Sequence, residues 1–225
     1  MGAVVAIDGP SASGKGTLAK KIAAKLGFAH LDTGSLYRFV ALKTLENNLD
    51  ETAPEKVIAL ARAVHQQLVQ EGLSILDTDA IRTEEVSVMT SKTSAIPGVR
   101  EILRDIQLGF AANPRRHDGS SAKGAVIDGR DIGTVICPLA EAKLFVTAST
   151  EERARRRHAE LRDRGLPDSY EAILKDMQER DERDRNRPVS PTIPATDAFV
   201  LDTTDMTRDA ALEKALQILL EKGLE

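Results

Sequence analysis

Nine residues near the start of the chain, Gly9, Pro10, Ser11, Ala12, Ser13, Gly14, Lys15, Gly16 and Thr17, have the types and spacing needed to hold phosphate groups. Glycines let backbone N–H groups turn inward on phosphate oxygens, a lysine reaches the distal phosphates, and a helix starting there adds the partial positive charge of its N-terminus. The apolar run at residues 3–8 has the make-up of a strand, and Leu18, Ile22 and Leu26 recur at helical spacing up to Gly27. Strand, glycine loop and helix in that order are the context such a loop requires. One position departs from the general GxxxxGK[ST] pattern. Gly16 stands where a Ser or Thr hydroxyl would ligate Mg²⁺, and Thr17 comes one place later. Direct ligation of the metal by a hydroxyl at that position is therefore not expected.

Three further groups of residues could act on anions. The segment Asp128-Gly129-Arg130-Asp131 ends an apolar run and delivers two carboxylates and a guanidinium to one place. The acids there would meet hydrated Mg²⁺, a sugar hydroxyl or a base amino group, or else form an ordinary turn with a local Arg–Asp pair. Arg180, Asp184 and Arg187 fall at i, i+4 and i+7, on one face of a helix that Pro188 must end. That face could grip a phosphate and a ribose hydroxyl together, or could be a solvated stripe of salt bridges. Arg153, Arg155, Arg156, Arg157, Arg162 and Arg164 crowd a third helical stretch. Neighbouring arginines repel one another, so an anion held close by would relieve them; a merely soluble helix is the alternative.

Positioning these groups requires a scaffold. Short apolar runs at residues 3–8, 29–32, 124–128, 143–148 and 198–202 alternate with helical patterns. Such alternation predicts an α/β fold with a five-stranded parallel sheet flanked by helices, and ligands at the carboxyl ends of the strands. Asp8, Asp32 and Asp128 end three of the runs and would lie near one another. The gap from 33 to 123 is too long for one crossover helix and reads as an insertion. Helices are expected over 37–47, 54–71 and from Pro97 to before Asn113, with a short strand at 73–76 and a polar loop at 113–123.

The chain has 225 residues, 41% of them hydrophobic, enough for one α/β unit with small appended parts. A formal charge of −4 and the absence of Trp argue against a nucleic-acid binder. No stretch is long enough to span a membrane, and the apolar start is too short for a signal peptide. A single cysteine, Cys137, excludes an internal disulfide and suits a reducing cytoplasm. It is expected to serve packing, and His30, His65, His117 and His158 show no metal-ligand spacing.

Taken together, the segments at 7–17, Leu31-Asp-Thr-Gly-Ser-Leu-Tyr37-Arg38, Pro97-Gly-Val-Arg100, Asp128 to Thr134 and Glu179 to Arg187 resemble the bacterial cytidylate (CMP) kinases, a branch of the nucleoside monophosphate kinases. The Gly16-Thr17 variant of the loop is similar to that family's form. The resemblance spans essentially the whole chain. It implies a P-loop kinase core at 1–36 and 98–225, a nucleotide-monophosphate insertion near 37–97, and a short helical lid near 151–167. It further implies ATP as phosphate donor, with its Mg²⁺ held through phosphate and water, CMP and also dCMP as acceptors, and a cytoplasmic monomer without nucleic-acid or membrane partners. Residues 9–17 with Arg153, Arg156 and Arg157 would hold ATP. Thr33, Arg38, Ser91, Arg100, Asp128, Arg130, Asp131, Arg180, Asp184 and Arg187 would hold CMP. Lys15, Arg130, Asp131 and Arg157 would serve catalysis.

The base assignment has chemical sense of its own. Cytosine offers an amino donor beside ring acceptors, so a carboxylate and an arginine fit its edge; uracil presents a carbonyl where the carboxylate stands. Adenylate or shikimate kinases share such a core but leave the Asp128–Asp131 segment and the Arg180 face unexplained. A guanine-reading switch would need an Asn-Lys-x-Asp segment, which this chain lacks.

Overall fold

The computed structural model describes residues 2–116, 118–163, 165 and 169–224; His117, Arg164 and the expected end of the lid at 166 and 167 lie outside them. Five parallel strands form one sheet: β1 (Ala3–Asp8), β2 (Ala29–Asp32), β3 (Gly124–Gly129), β4 (Ala142–Thr147) and β5 (Phe199–Asp202). Their order is β2-β3-β1-β4-β5. The chain leaves β1 toward one edge, returns through β3, then crosses to the other side for β4 and β5. Connections therefore diverge on either side of β1, which opens a crevice at the carboxyl ends. Register places Asp32 opposite Asp128, and Asp8 opposite Gly129.

Among the described residues there are eight α-helices: α1 (Lys15–Leu26), α2 (Thr33–Glu46), α3 (Pro54–Glu71), α4 (Glu84–Thr93), α5 (Pro97–Ala112), α6 (Thr150–Asp163), α7 (Tyr170–Asn186) and α8 (Arg208–Glu221). The two-residue period of β1 sends Val5 and Ile7 to one face, against Leu18, Ile22 and Leu26 of α1 and Leu219 of α8. Ala6 goes to the other face, with Leu31, Ile127 and Phe110 of α5. Cys137 packs beside this second cluster, and burial pushes its thiol up to about 11. A third cluster joins Leu36 and Val40 of α2 to Val57, Val64 and Leu68 of α3 and Leu103 of α5. Because α2 runs unbroken from Thr33, the boundary expected between 36 and 37 falls inside a helix.

One local expectation gives way. Residues Leu73–Leu76 form a 3₁₀ turn in place of a strand. Gly72 stops α3 with a φ of +84°, and Leu76 then turns into the α2–α3 cluster, where no strand offers a ladder. The serine- and threonine-rich stretch before Ser94 is helical. Thr83 caps α4 by accepting from Val86 N–H at 3.2 Å, and Thr90 and Thr93 return their hydroxyls to the carbonyls of Val86 and Met89. Such back-bonding satisfies the hydroxyls inside the helix.

Among the described residues, no helix is long and apolar enough to cross a membrane.

Candidate functional site

The phosphate-loop geometry follows from its residues. Gly9 has φ +151°, and a Cβ there would overlap the Val146 carbonyl oxygen, so the chain can leave β1 at this angle only with glycine. Gly14 sits at φ +88° as the residue before α1 and offers no side-chain cap, which leaves the first N–H groups of the helix open toward the loop. Lys15 lies back along the loop, its Nζ donating to the Pro10 carbonyl at 3.1 Å. Burial, and then the nearby Arg130, press its ammonium down to about 7. Ser11 Oγ and Ser13 Oγ are buried without hydrogen-bond partners. Buried polar atoms without partners carry a desolvation cost that a hydrogen-bonding ligand would relieve.

At the strand ends the carboxylates divide their work. Asp8 accepts from Ile132 N–H at 2.8 Å and Gly133 N–H at 2.7 Å, fastening the turn after β3 to the end of β1. Burial raises its carboxyl to about 6, against the pull of those two bonds. Asp128 pairs with His30 Nε2 at 2.7 Å. Its backbone carbonyl accepts from Thr33 Oγ1 at 2.8 Å. Asp32 lies beside it, and burial followed by the Asp128 charge raises the Asp32 carboxyl. Gly16 faces this pair, with an added Cβ 3.8 Å from Asp128 Oδ1. Among the described residues, no cluster of three or more His, Cys, Asp or Glu side chains is arranged to hold a metal ion by itself.

One cavity of about 250 Å³ gathers Lys15, Thr33, Arg38, Ser91, Arg100, Asp128, Arg130, Asp131, Arg157, Arg180, Asp184 and Arg187. Residues more than 150 positions apart thus meet in it, because α2, α4, α5, the β3 turn, α6 and α7 all present one face to the crevice. Arg100 Nη2 donates to Asp131 Oδ2 at 2.6 Å, with both side chains buried. Its guanidinium lies over the Tyr37 ring, 5.4 Å from the centroid. Asp184 accepts from Arg130 Nε at 3.4 Å and has Arg187 Nη1 at 3.9 Å. Burial works against its charge, but Arg130, Arg180 and Arg187 outweigh that and hold its carboxyl low.

The cationic side of the cavity is under strain. Burial, and then Arg180, lower Arg38 to about 10; burial followed by Arg130 lowers Arg180, and burial followed by Arg100 lowers Arg187. Ser91 Oγ, Arg180 Nε and Arg187 Nη2 are buried there without hydrogen-bond partners. Crowded cations with open donors in one cavity are suited to an anion.

The arginines of α6 separate into different roles. Arg157 reaches Glu84 of α4 at 2.8 Å and Glu160 at 3.2 Å, bridging the mouth of the cavity. Arg156 lies behind the phosphate loop, donating to the Thr203 carbonyl at 2.6 Å and to Glu152 at 3.1 Å. A second groove of about 670 Å³ passes Gly14, Thr17, Arg156, Thr203, Met206 and Arg208. Arg155 points outward to Glu152. Arg153, expected beside a nucleotide, instead directs its guanidinium into the protein, onto Ala148, Ser11, Thr150 and Asp181. The reason is its place on α6: it faces α7 and the loop base, where it is 3% exposed.

Spacing alone does not disclose Tyr37, Glu84, Asp181 or Thr203. Asp181 did leave a trace. Ile173, Met177 and Asp181 lie at i, i+4 and i+8, so it continues the buried stripe of α7 toward α6.

The sequence model described as Cytidylate kinase matches residues 5–221. Curated relatives carry the same name. One from Paramagnetospirillum magneticum is 50% identical over 222 residues, covering 99% of this chain and 100% of the relative. One from Rhodospirillum rubrum is 47% identical over 220 residues, 98% of each. One from Vibrio parahaemolyticus is 45% identical over 229 residues, 99% of this chain and 97% of the relative.

Proposed function

The chain belongs to the cytidylate kinase family, and from that premise we propose that it transfers the γ-phosphoryl group of MgATP to CMP and to dCMP, giving the diphosphate and ADP. The observation that carries this reading is the buried Arg100–Asp131 pair, which shares one cavity with Lys15, Arg38, Arg130, Arg157, Arg180 and Arg187. Arg100 occupies Asp131 Oδ2, so Oδ1 is the atom for the cytosine amino group, while Arg100 and Ser91 meet the ring acceptors. Arg38, Arg130 and Arg187 take the acceptor phosphate. Arg180 and Asp184 take the ribose. Thr33 holds the Asp128 carbonyl and so steadies the floor between them.

The donor fits the loop from Gly9 to Thr17, with its nucleoside along the groove past Arg156 and Thr203. Asp32 and Asp128 beside Gly16 suit a water-clad Mg²⁺ carried by ATP, which would neutralise charge on the β- and γ-phosphates. In the transfer, a CMP phosphate oxygen forms a bond to the γ-phosphorus as the bond to the β,γ-bridging oxygen breaks. The leaving electron pair stays on ADP, and no covalent enzyme intermediate is needed. Lys15 and Arg157 stabilise charge on the moving group, and residues 151–167 act as the lid that excludes water, with 37–97 as the acceptor-binding part. We assign the enzyme to the cytoplasm as a monomer acting on small molecules.

Product identity tests this directly. ATP and CMP should give CDP and ADP in equal amounts; release of inorganic phosphate without CDP would refute the assignment.

The state of Lys15 gives a second expected result. Its folded value near 7 lies far below the ordinary 10.5, so much of the free protein carries a neutral amine at pH 8. A polyphosphate beside it restores the charge. MgATP binding at pH 8 should therefore take up protons, and affinity should weaken as pH rises above about 7. Calorimetry in two buffers of different ionisation enthalpy measures the uptake. Uptake that persists unchanged in Lys15→Ala would contradict its origin in this group.

A further inference from the structure

Arg153 has five N–H donors, and the protein uses every one of them. Nε donates to the Ala148 carbonyl at 2.9 Å, just beyond β4. Nη1 donates to the Ser11 carbonyl at 3.3 Å and to Asp181 Oδ1 at 3.2 Å. Nη2 donates to Thr150 Oγ1 at 2.8 Å and to Asp181 Oδ2 at 2.5 Å. A guanidinium and a carboxylate matched in this two-pronged way are held in one orientation. Arg153 is buried, 3% exposed, and Asp181 is half-buried at 17%; the pair ties together four separate pieces of chain: the phosphate loop, the end of β4, α6 and α7.

Apolar contacts reach the same point. Ala154 and Leu161 of α6 pack with Ile173 and Met177 of α7, and Ala12 of the phosphate loop packs against them. Ala12 has φ +55°, a left-handed conformation that costs energy for a residue with a side chain. Ser11, immediately before it, is the residue whose carbonyl Arg153 holds. The strained crest of the loop is thus gripped on its polar side by Arg153 and on its apolar side by the α6–α7 core.

We propose that Arg153 and Asp181 are positioning residues for phosphoryl transfer: a two-pronged ion pair that fixes the crest of the phosphate loop through the Ser11 carbonyl before nucleotide binds. The inference rests on reading residues 9–17 as the site of the ATP phosphates. Arg153 then differs in kind from Arg156 and Arg157, because it acts on the nucleotide only through the loop. A loop set in advance avoids the ordering that a mobile one would require at each binding event.

The test uses Asp181→Asn and Arg153→Lys in the full chain. Steady-state constants are measured for both substrates, and amide hydrogen exchange is followed without nucleotide. Asp181→Asn keeps the shape and one acceptor but removes the charge; Arg153→Lys keeps the charge but cannot span the four partners. Both should raise KM for ATP about tenfold or more while KM for CMP stays within about twofold. Exchange should quicken in peptides covering residues 9–14 and stay slow in those from β3 and β4. A lowered Tm with unchanged KM for ATP and unchanged loop exchange would show a merely structural pair and overturn the proposal. A loss in Arg153→Lys that Asp181→Asn does not share would place the guanidinium on the nucleotide itself, which also overturns it. Absence of CMP-dependent turnover in the unaltered protein would refute the kinase reading instead. The exchange experiment, run without substrate, would still decide the clamp.

Discussion

Replacing Lys15 by alanine is expected to lower kcat about a thousandfold while leaving KM for CMP within about twofold, the scale of loss when one charge-stabilising group leaves a phosphoryl-transfer site. The reason is placement. Lys15 stands at the first position of α1, where the glycine turn at Gly14 points the chain into the crevice, and its ammonium rests on the Pro10 carbonyl until phosphate arrives. Its charge is costly in this buried, arginine-flanked position, as the fall to about 7 indicates, so it has most to gain where negative charge gathers on the transferring group. The acceptor contacts come from other elements and remain in place. Stopped-flow or coupled assays give kcat and KM separately. A near-normal kcat would remove Lys15 from the catalytic account.

Asp131→Ala is expected to cut kcat/KM for CMP by about a hundredfold, and to cut that for UMP by less than about tenfold. Part of the loss is the amino contact. Part is Arg100, which loses the partner 2.6 Å away and is left buried over Tyr37. An unpaired buried charge also costs the fold about 3–5 kcal/mol, so Asp131→Asn, which keeps a polar partner, serves as the companion variant. With uracil the carboxylate faces a carbonyl, and its removal relieves a repulsion. Equal losses with both acceptors, in protein that remains folded by circular dichroism, would remove Asp131 from base reading.

The parts of the molecule legible in the residues are those where backbone chemistry is local. Gly9 and Gly14 could be read because glycine suits the positive φ of the turn they make, and the strands because they are apolar runs, several of which end in Asp at the crevice. The face of Arg180, Asp184 and Arg187 followed from helical period, and all three line the cavity. Arg100 was different. Nothing near it in the chain marks it, and only its resemblance to a family segment connected it with Asp131, 31 residues on. Long-range pairing of that kind depends on how α5 packs beside β3, which spacing does not encode. The same holds for Glu84 and Arg157, and for Asp8, whose bonds to Ile132 and Gly133 cross more than 120 residues.

Where local signals competed, tertiary packing won. The apolar residues of 73–76 satisfy a strand pattern, yet they pack as a 3₁₀ turn because a helical cluster lies beside them. The hydroxyl-rich stretch of α4 has weak helix propensity, yet a threonine cap and back-bonded hydroxyls hold it, and its helix carries Ser91 to the cavity. In α6 a run of arginines looked uniform in charge. Packing separates them: one clamps the loop, one lies behind it, one bridges the cavity mouth and one faces solvent.

The central claim is that this crevice phosphorylates cytidine monophosphates with ATP. Its most direct test is a comparison of kcat/KM for CMP, dCMP, UMP, AMP and shikimate under saturating MgATP. The account predicts CMP and dCMP well ahead of UMP, with AMP and shikimate near background. AMP or shikimate equal to or ahead of CMP, or no turnover with CMP, would contradict it.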